Sequence, residues 1–122
     1  MTTKGARILV VEDDPLLGMC IQECLEEAGY TVVALAAALQ HALALATTLD
    51  LDAAVLDLNL RGEMSFPVAH ALRQRGVPFI VCSGYDTTKM EALPKDVPAL
   101  SKPVSAQALT AVLADTVRSS RR

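Results

Sequence analysis

Three acidic residues, one lysine and two serines stand where apolar runs stop. Glu12 and Asp13 close the run Ile8-Leu9-Val10-Val11, and Asp57 closes Ala53-Ala54-Val55-Leu56. Ser83 and Gly84 close Val77-Pro78-Phe79-Ile80-Val81-Cys82, and Ser101-Lys102-Pro103 follows Val97-Pro98-Ala99-Leu100. Carboxylates brought into one crevice repel each other unless a cation joins them. All-oxygen ligands favour a hard ion, and a few carboxylates with water and a phosphoryl oxygen are the usual setting of Mg²⁺. A lysine among carboxylates is a point charge suited to phosphate oxygens, and a serine hydroxyl adds one hydrogen bond. A carboxylate can act as the nucleophile of phosphoryl transfer, giving an aspartyl-phosphate, with catalysis resting on positioning and charge neutralisation. The formal charge of the chain is −3, from 11 basic and 14 acidic residues. Glu12, Asp13 and Asp57 therefore equal the whole of its net charge.

The elements that must position these groups alternate along the chain. Arg7–Val11 is apolar on both faces, as a strand of a sheet covered on both sides must be. Asp14 and Pro15 then give an N-cap and first helical residue, and Leu17, Ile21, Cys24, Leu25 and Ala28 recur at helical spacing up to Gly29. The unit repeats: strand Tyr30–Leu35, helix Leu39–Leu49, strand Ala53–Asp57, helix Phe66–Arg75, strand Val77–Cys82, a short helix over Asp86–Leu93, strand Val97–Leu100, and a last helix with core positions Leu109, Val112, Leu113 and Val117. Five strand-helix units predict an α/β protein, a doubly wound parallel sheet with helices on both faces. Ligands of such sheets bind beyond the carboxyl ends of the strands, where the polar groups above fall.

Composition narrows the function. The chain has 122 residues, 52% hydrophobic and 20% charged, which predicts one domain over residues 1–122, with a solvated tail at 119–122. Aromatic residues make up 3% and Trp is absent, which disfavours stacking platforms, and the acidic balance gives no footprint for nucleic acid. Cys20, Cys24 and Cys82 are an odd set without metal-ligand spacing. They read as buried, reduced thiols and predict a cytoplasmic location. No apolar run approaches the roughly 18 residues of a membrane span, so no membrane partner is expected. His41 and His70 read as solvated helix residues, Asp50 and Asp52 as turn residues, and no phosphate-binding glycine loop is present.

Ile8-Leu9-Val10-Val11-Glu12-Asp13-Asp14-Pro15, Val55-Leu56-Asp57-Leu58-Asn59-Leu60, Ser83-Gly84 and Ser101-Lys102-Pro103 resemble the receiver domain of two-component response regulators, in order and over nearly the whole chain. The resemblance implies the flavodoxin-like strand order 2-1-3-4-5. It implies Asp57 as phosphoacceptor, and Mg²⁺ held by Glu12, Asp13, Asp57 and the backbone carbonyl of Asn59. It further implies Ser83 as switch hydroxyl, Lys102 as phosphoryl ligand, a cis bond before Pro103, and an Asn59 side chain facing the pocket mouth. Asp14 is the N-cap by this reading, with a water-mediated role near the ion as the alternative.

The run Asp57–Glu63, with Phe66-Pro67-Val68-Ala69 and Val81-Cys82-Ser83-Gly84-Tyr85, is similar to single-domain receivers whose fourth strand carries Phe-Ala-Thr-Gly and an aromatic. The family's strand-five aromatic is replaced by Ala99, and Tyr85 either substitutes for it or covers the pocket rim. Gly84 loosens the backbone there. Phosphorylation is expected to order residues 84–93 and to switch a surface made by the fourth helix, fifth strand and fifth helix. The implied partners are a histidine kinase or histidine phosphotransfer protein and a downstream protein, with the chain a monomer or weak dimer. Two alternatives stand beside this: a phosphorylation-independent interaction module, and a receiver excised from a larger hybrid kinase or regulator.

Overall fold

The computed structural model describes residues 5–84, 96–102 and 104–120. Its elements run β1 (Arg7–Val11), α1 (Pro15–Glu27), β2 (Thr31–Ala36), α2 (Leu39–Thr48), β3 (Ala53–Asp57), β4 (Asn59–Leu60), β5 (Glu63–Met64), α3 (Phe66–Gln74), β6 (Phe79–Ser83), β7 (Ala99–Ser101) and α4 (Ala106–Ser120). Five strands form one sheet in the order β2-β1-β3-β6-β7. Every neighbouring pair in it is parallel. With β6 and β7 as the fourth and fifth strands, this is the expected flavodoxin-like order.

Period-two alternation splits the core into two layers. Leu9, Val11, Ala54, Leu56, Phe79 and Val81 face one side, against Ala42 and Ala46 of α2 and Val68, Ala69 and Leu72 of α3. Ile8, Val10, Ala53, Val55, Ile80 and Cys82 face the other, against Leu25 of α1 and Leu109, Leu113 and Val117 of α4. Because β1, β3 and β6 are covered on both faces, their backbones are held firmly, and all three end at the same edge of the sheet. Gly18 sets how closely α1 lies on β2, since a Cβ there would sit 3.0 Å from Cδ1 of Leu35.

Several expectations are refined. Leu17 is more than one-third exposed, and Cys20 lies on the outer face of α1 while Cys24 is half-buried, so only Cys82 is a fully buried thiol. Gly18 and Leu25 carry the buried stripe of α1, and its first two turns turn Leu16, Met19 and Cys20 outward. β6 begins at Phe79 and β7 at Ala99, each directly after a proline that lacks the N–H a ladder needs. The Pro78 and Pro98 carbonyls still accept from Ala54 and Val81 at 3.1 and 3.0 Å. α4 runs to Ser120, so residues 119 and 120 of the expected tail are helical, with Arg118 in the last turn, where a cation suits the helix dipole. The helix expected over Asp86–Leu93, Tyr85 and Pro103 lie outside the described residues. The hairpin β4–β5 was not anticipated.

Asp14 caps α1 by accepting from Leu16 and Leu17 N–H at 3.0 and 3.3 Å, and Gly29, at φ 99°, ends it. The last turn of α2 carries no basic residue, and Arg75 supplies one from beyond α3, donating Nη1 to the Ala46 and Leu49 carbonyls at 2.8 and 2.7 Å. Arg75→Ala is expected to cost about 1 kcal/mol and a few degrees in melting midpoint. A midpoint equal to the parent's would show that water satisfies those carbonyls as well.

Candidate functional site

The carboxyl ends of β1 and β3 bring Glu12, Asp13 and Asp57 together, with one oxygen of each within 4.8 Å of the others. Lys102, one residue beyond β7, reaches across β6 to complete the cluster. Its ammonium donates to Asp57 Oδ2 at 3.0 Å and Glu12 Oε1 at 3.1 Å. The Glu12 and Asp57 side chains are 2% and 7% exposed, whereas Lys102 keeps 25% of its side chain at the surface. The carboxylates therefore sit in the floor, and the lysine stem forms one wall. Lys102 N–H donates to the Ser83 carbonyl at 2.7 Å, and Ser83 pairs with Ser101, so the sheet ladder itself sets the lysine beside Ser83.

Backbone donors converge on the same acidic groups. Asp14 N–H donates to Glu12 Oε2 at 3.1 Å, Asn59 N–H to Asp57 Oδ1 at 3.3 Å, and Arg61 N–H to Asp13 Oδ2 at 2.9 Å. Each softens the repulsion that three carboxylates would otherwise exert.

The groups titrate unequally. Burial pushes Glu12 up to about 7, with the negative charge of Asp57 adding to the rise, against hydrogen bonds from Asp14 and Lys102 that favour its charged form. Burial opposes ionisation of Asp13 too, yet hydrogen bonds from Glu12 and the Arg61 amide outweigh it and hold Asp13 below its ordinary value. Burial also works against the Lys102 charge, but its bonds to Asp57 and Glu12 win and hold the ammonium above its usual range. At neutral pH a proton is thus shared on the Glu12 side while Asp13 stays charged. An all-oxygen donor set with this surplus of negative charge fits a hard divalent cation.

The structure brings Glu12, Asp13, Asp57, Ser83 and Lys102 to one edge, as the sequence predicts. Ser83 is buried at the end of β6, and Gly84 is exposed with open space around it. Asp14 serves as the α1 cap. The Asn59 side-chain oxygen accepts from Gly62 N–H at 2.7 Å, within the hairpin. Arg61 was missed by sequence reading, because only Gly62 beside it marks a turn between Leu60 and Glu63. A cavity of about 550 Å³ opens at the other end of β6 and β7, lined by Arg73, Phe79, Pro98 and Thr116 among others. Arg73 is held there by Asp96 at 2.8 Å, and none of the clustered carboxylates lines it. The depth of a pocket and the place of the chemistry are different things here.

Comparison with known proteins agrees with this geometry. The family model of the response regulator receiver domain matches residues 8–114. The transcriptional regulatory protein TcrA of Mycobacterium tuberculosis is 42% identical over 73 residues, which cover 60% of this chain and 28% of that protein. The match thus spans under a third of that relative's length. The solution structure of SdrG from Sphingomonas melonis Fr1 is 36% identical, with a TM-score of 0.81 over 96% of this chain and 99% of that one. The receiver domain of a sensor histidine kinase from Pseudomonas aeruginosa, 25% identical, superposes with a TM-score of 0.81 over 93% of this chain and 98% of that one. In that structure a magnesium ion is coordinated in the active-site cleft.

A carboxyl raised in the folded state binds its proton more tightly than in the unfolded chain. The stability Glu12 contributes is therefore complete below its unfolded value of 4.5 and is lost as pH rises through about 7. In cation-free buffer the melting midpoint of Glu12→Gln, measured against the parent, should move in the variant's favour between about pH 5 and about pH 8. A difference that stays flat over that range would show that Glu12 holds no extra proton.

Proposed function

This chain belongs to the response regulator receiver domain family of two-component signalling, and from that premise we propose that Asp57 accepts a phosphoryl group from a phosphohistidine donor. The observation that carries the proposal is the Lys102 ammonium seated between Asp57 and Glu12 inside a three-carboxylate cluster at the strand ends. Lys102 is poised to exchange its bond with Asp57 for one to a phosphoryl oxygen while keeping Glu12. In the transfer an Asp57 oxygen forms the new bond to phosphorus, the bond from phosphorus to the histidine nitrogen breaks, and the imidazole leaves with its electron pair. Glu12, Asp13, Asp57 and the Asn59 carbonyl would hold Mg²⁺, which supplies charge neutralisation at the phosphoryl oxygens. The Ser83 hydroxyl, buried beside Lys102, would take a phosphoryl oxygen as its partner. Self-phosphorylation and slow dephosphorylation are the whole of the expected catalysis.

We read residues 1–122 as one domain that works in the cytoplasm as a monomer or weak dimer, with a histidine kinase or phosphotransfer protein upstream and an unidentified protein downstream. Ala99, exposed on the edge strand β7, offers no ring to relay the switch, so output through β7 and α4 would depend on residues 84–93. The donor must reach over the rim formed by α1. Leu16 and Met19, 73% and 55% exposed, lie in the first and second turns after Asp14 and give that rim an apolar docking surface.

Incubation with acetyl phosphate and Mg²⁺ should add one phosphoryl group by intact mass, lost in Asp57→Asn and without divalent cation. A parent protein that stays unmodified would instead favour a constitutive interaction module. Leu16→Glu should slow transfer from a phosphohistidine protein by about tenfold or more while leaving acetyl phosphate labelling unchanged, as expected of a group that acts in docking alone. Equal slowing with both donors would place Leu16 in pocket folding rather than docking.

A further inference from the structure

Among the described residues Arg61 alone combines a side chain with positive φ, at 53°, and it is followed by Gly62 at 91°. These two residues join Leu60 to Glu63, so positive φ at both positions makes the β4–β5 connection a type I′ turn. That turn ordinarily takes Asn-Gly or Gly-Gly, because the left-handed region crowds a Cβ against the backbone. Nothing in the hairpin itself calls for arginine. A strained residue beside a site is a reason to ask what the strain holds in place.

It holds Asp13. The Arg61 amide, aimed by the left-handed backbone, donates to Asp13 Oδ2 at 2.9 Å, and Arg61 Nη2 reaches the Asp13 carbonyl oxygen at 3.3 Å. The hairpin is tied at its other end to the second wall of the pocket, through Gly62 N–H on Asn59 Oδ1 and Asn59 N–H on Asp57 Oδ1. One short hairpin thus bridges the carboxylates that end β1 and β3. We propose that Arg61 is a positioning residue: its amide and guanidinium together clamp Asp13, so that the carboxylate is aimed at the space it shares with Glu12 and Asp57 before any ligand arrives. The inference rests on the reading of that cluster as a cation and phosphoryl pocket. It also goes beyond it, because the clamp is a property of the cation-free protein. A carboxylate oxygen carries two lone pairs, so the bond from Arg61 fixes Asp13 without using up its capacity as a ligand. Hydrogen-bonding partners behind ligating carboxylates typically matter by 10–100-fold in metal affinity.

Arg61→Gly and Arg61→Asn both suit the type I′ turn and both keep the amide while deleting the guanidinium. Two measurements on the full chain decide the matter. The first is amide hydrogen exchange at residue 61 in cation-free protein. The second is the Mg²⁺ dissociation constant from NMR shifts at residues 13 and 57. Melting midpoints at or above the parent's are expected, because the strain is relieved. Alongside them, exchange at residue 61 should be about tenfold faster and Mg²⁺ affinity about tenfold weaker. Exchange within twofold of the parent in both variants overturns the clamp. Faster exchange with unchanged affinity overturns the positioning role. If the parent itself shows no Mg²⁺-dependent shift, the pocket reading fails separately, and exchange alone then decides whether Arg61 clamps Asp13.

Discussion

Three carboxylates confined within 4.8 Å of one another, with one ammonium to answer them, are the constraint around which this protein is arranged. Such a cluster opposes folding until something holds it. Here the hold comes from the Lys102 bridge and from main-chain N–H groups of Asp14 after β1 and of Asn59 and Arg61 in the hairpin after β3. The scaffold must therefore be stiff where these connections leave the sheet. It is stiffest there, because β1, β3 and β6 are buried on both faces and paired on both edges. The dependence also runs the other way. β7 is three residues long, half exposed and at the sheet edge, and the bonds of Lys102 to Asp57 and Glu12 tie its end to the centre of the molecule.

The cysteine beneath the pocket shows how closely charge is controlled there. Cys82 pairs in register with Asp57, and its side chain lies in the layer of Ile80, Val55 and Leu113. Burial pushes its thiol up to about 11, and the charges of Asp57 and Glu12 add to the rise that Lys102 opposes. The sulfur accordingly stays neutral and behaves as a small hydrophobe, adding no further negative charge under the carboxylates.

The doubly covered strands and the carboxylate cluster at their ends were legible in the sequence for one physical reason, whereas the strand order followed from the family resemblance alone. Runs such as Ile8–Val11 and Ala53–Leu56 are apolar at every position, which only a doubly covered strand explains, and polar residues cannot follow until the strand leaves the core. What was not legible depended on context that periodicity does not carry. Leu16, Leu17 and Met19 have the residue types of a core stripe, but Gly18 and Leu25 are the buried positions of α1 and these three face outward. The starts of β6 and β7 move because proline withholds a donor, a local effect that outweighs the apolar pattern of Val77 and Val97. The hairpin was hidden because an arginine occupies the position where asparagine or glycine would have announced the turn.

Glu12 and Asp13 are neighbours in sequence and opposites in behaviour, and the difference follows from their depth. Glu12 lies in the floor, where burial favours the neutral acid and pushes it up to about 7. Asp13 stands at the rim, half-buried, where the Glu12 proton and the Arg61 amide favour the carboxylate. A proton held on the Glu12 side lessens the negative charge in the floor. Adjacent positions at a strand end thus behave differently because they are placed at different depths.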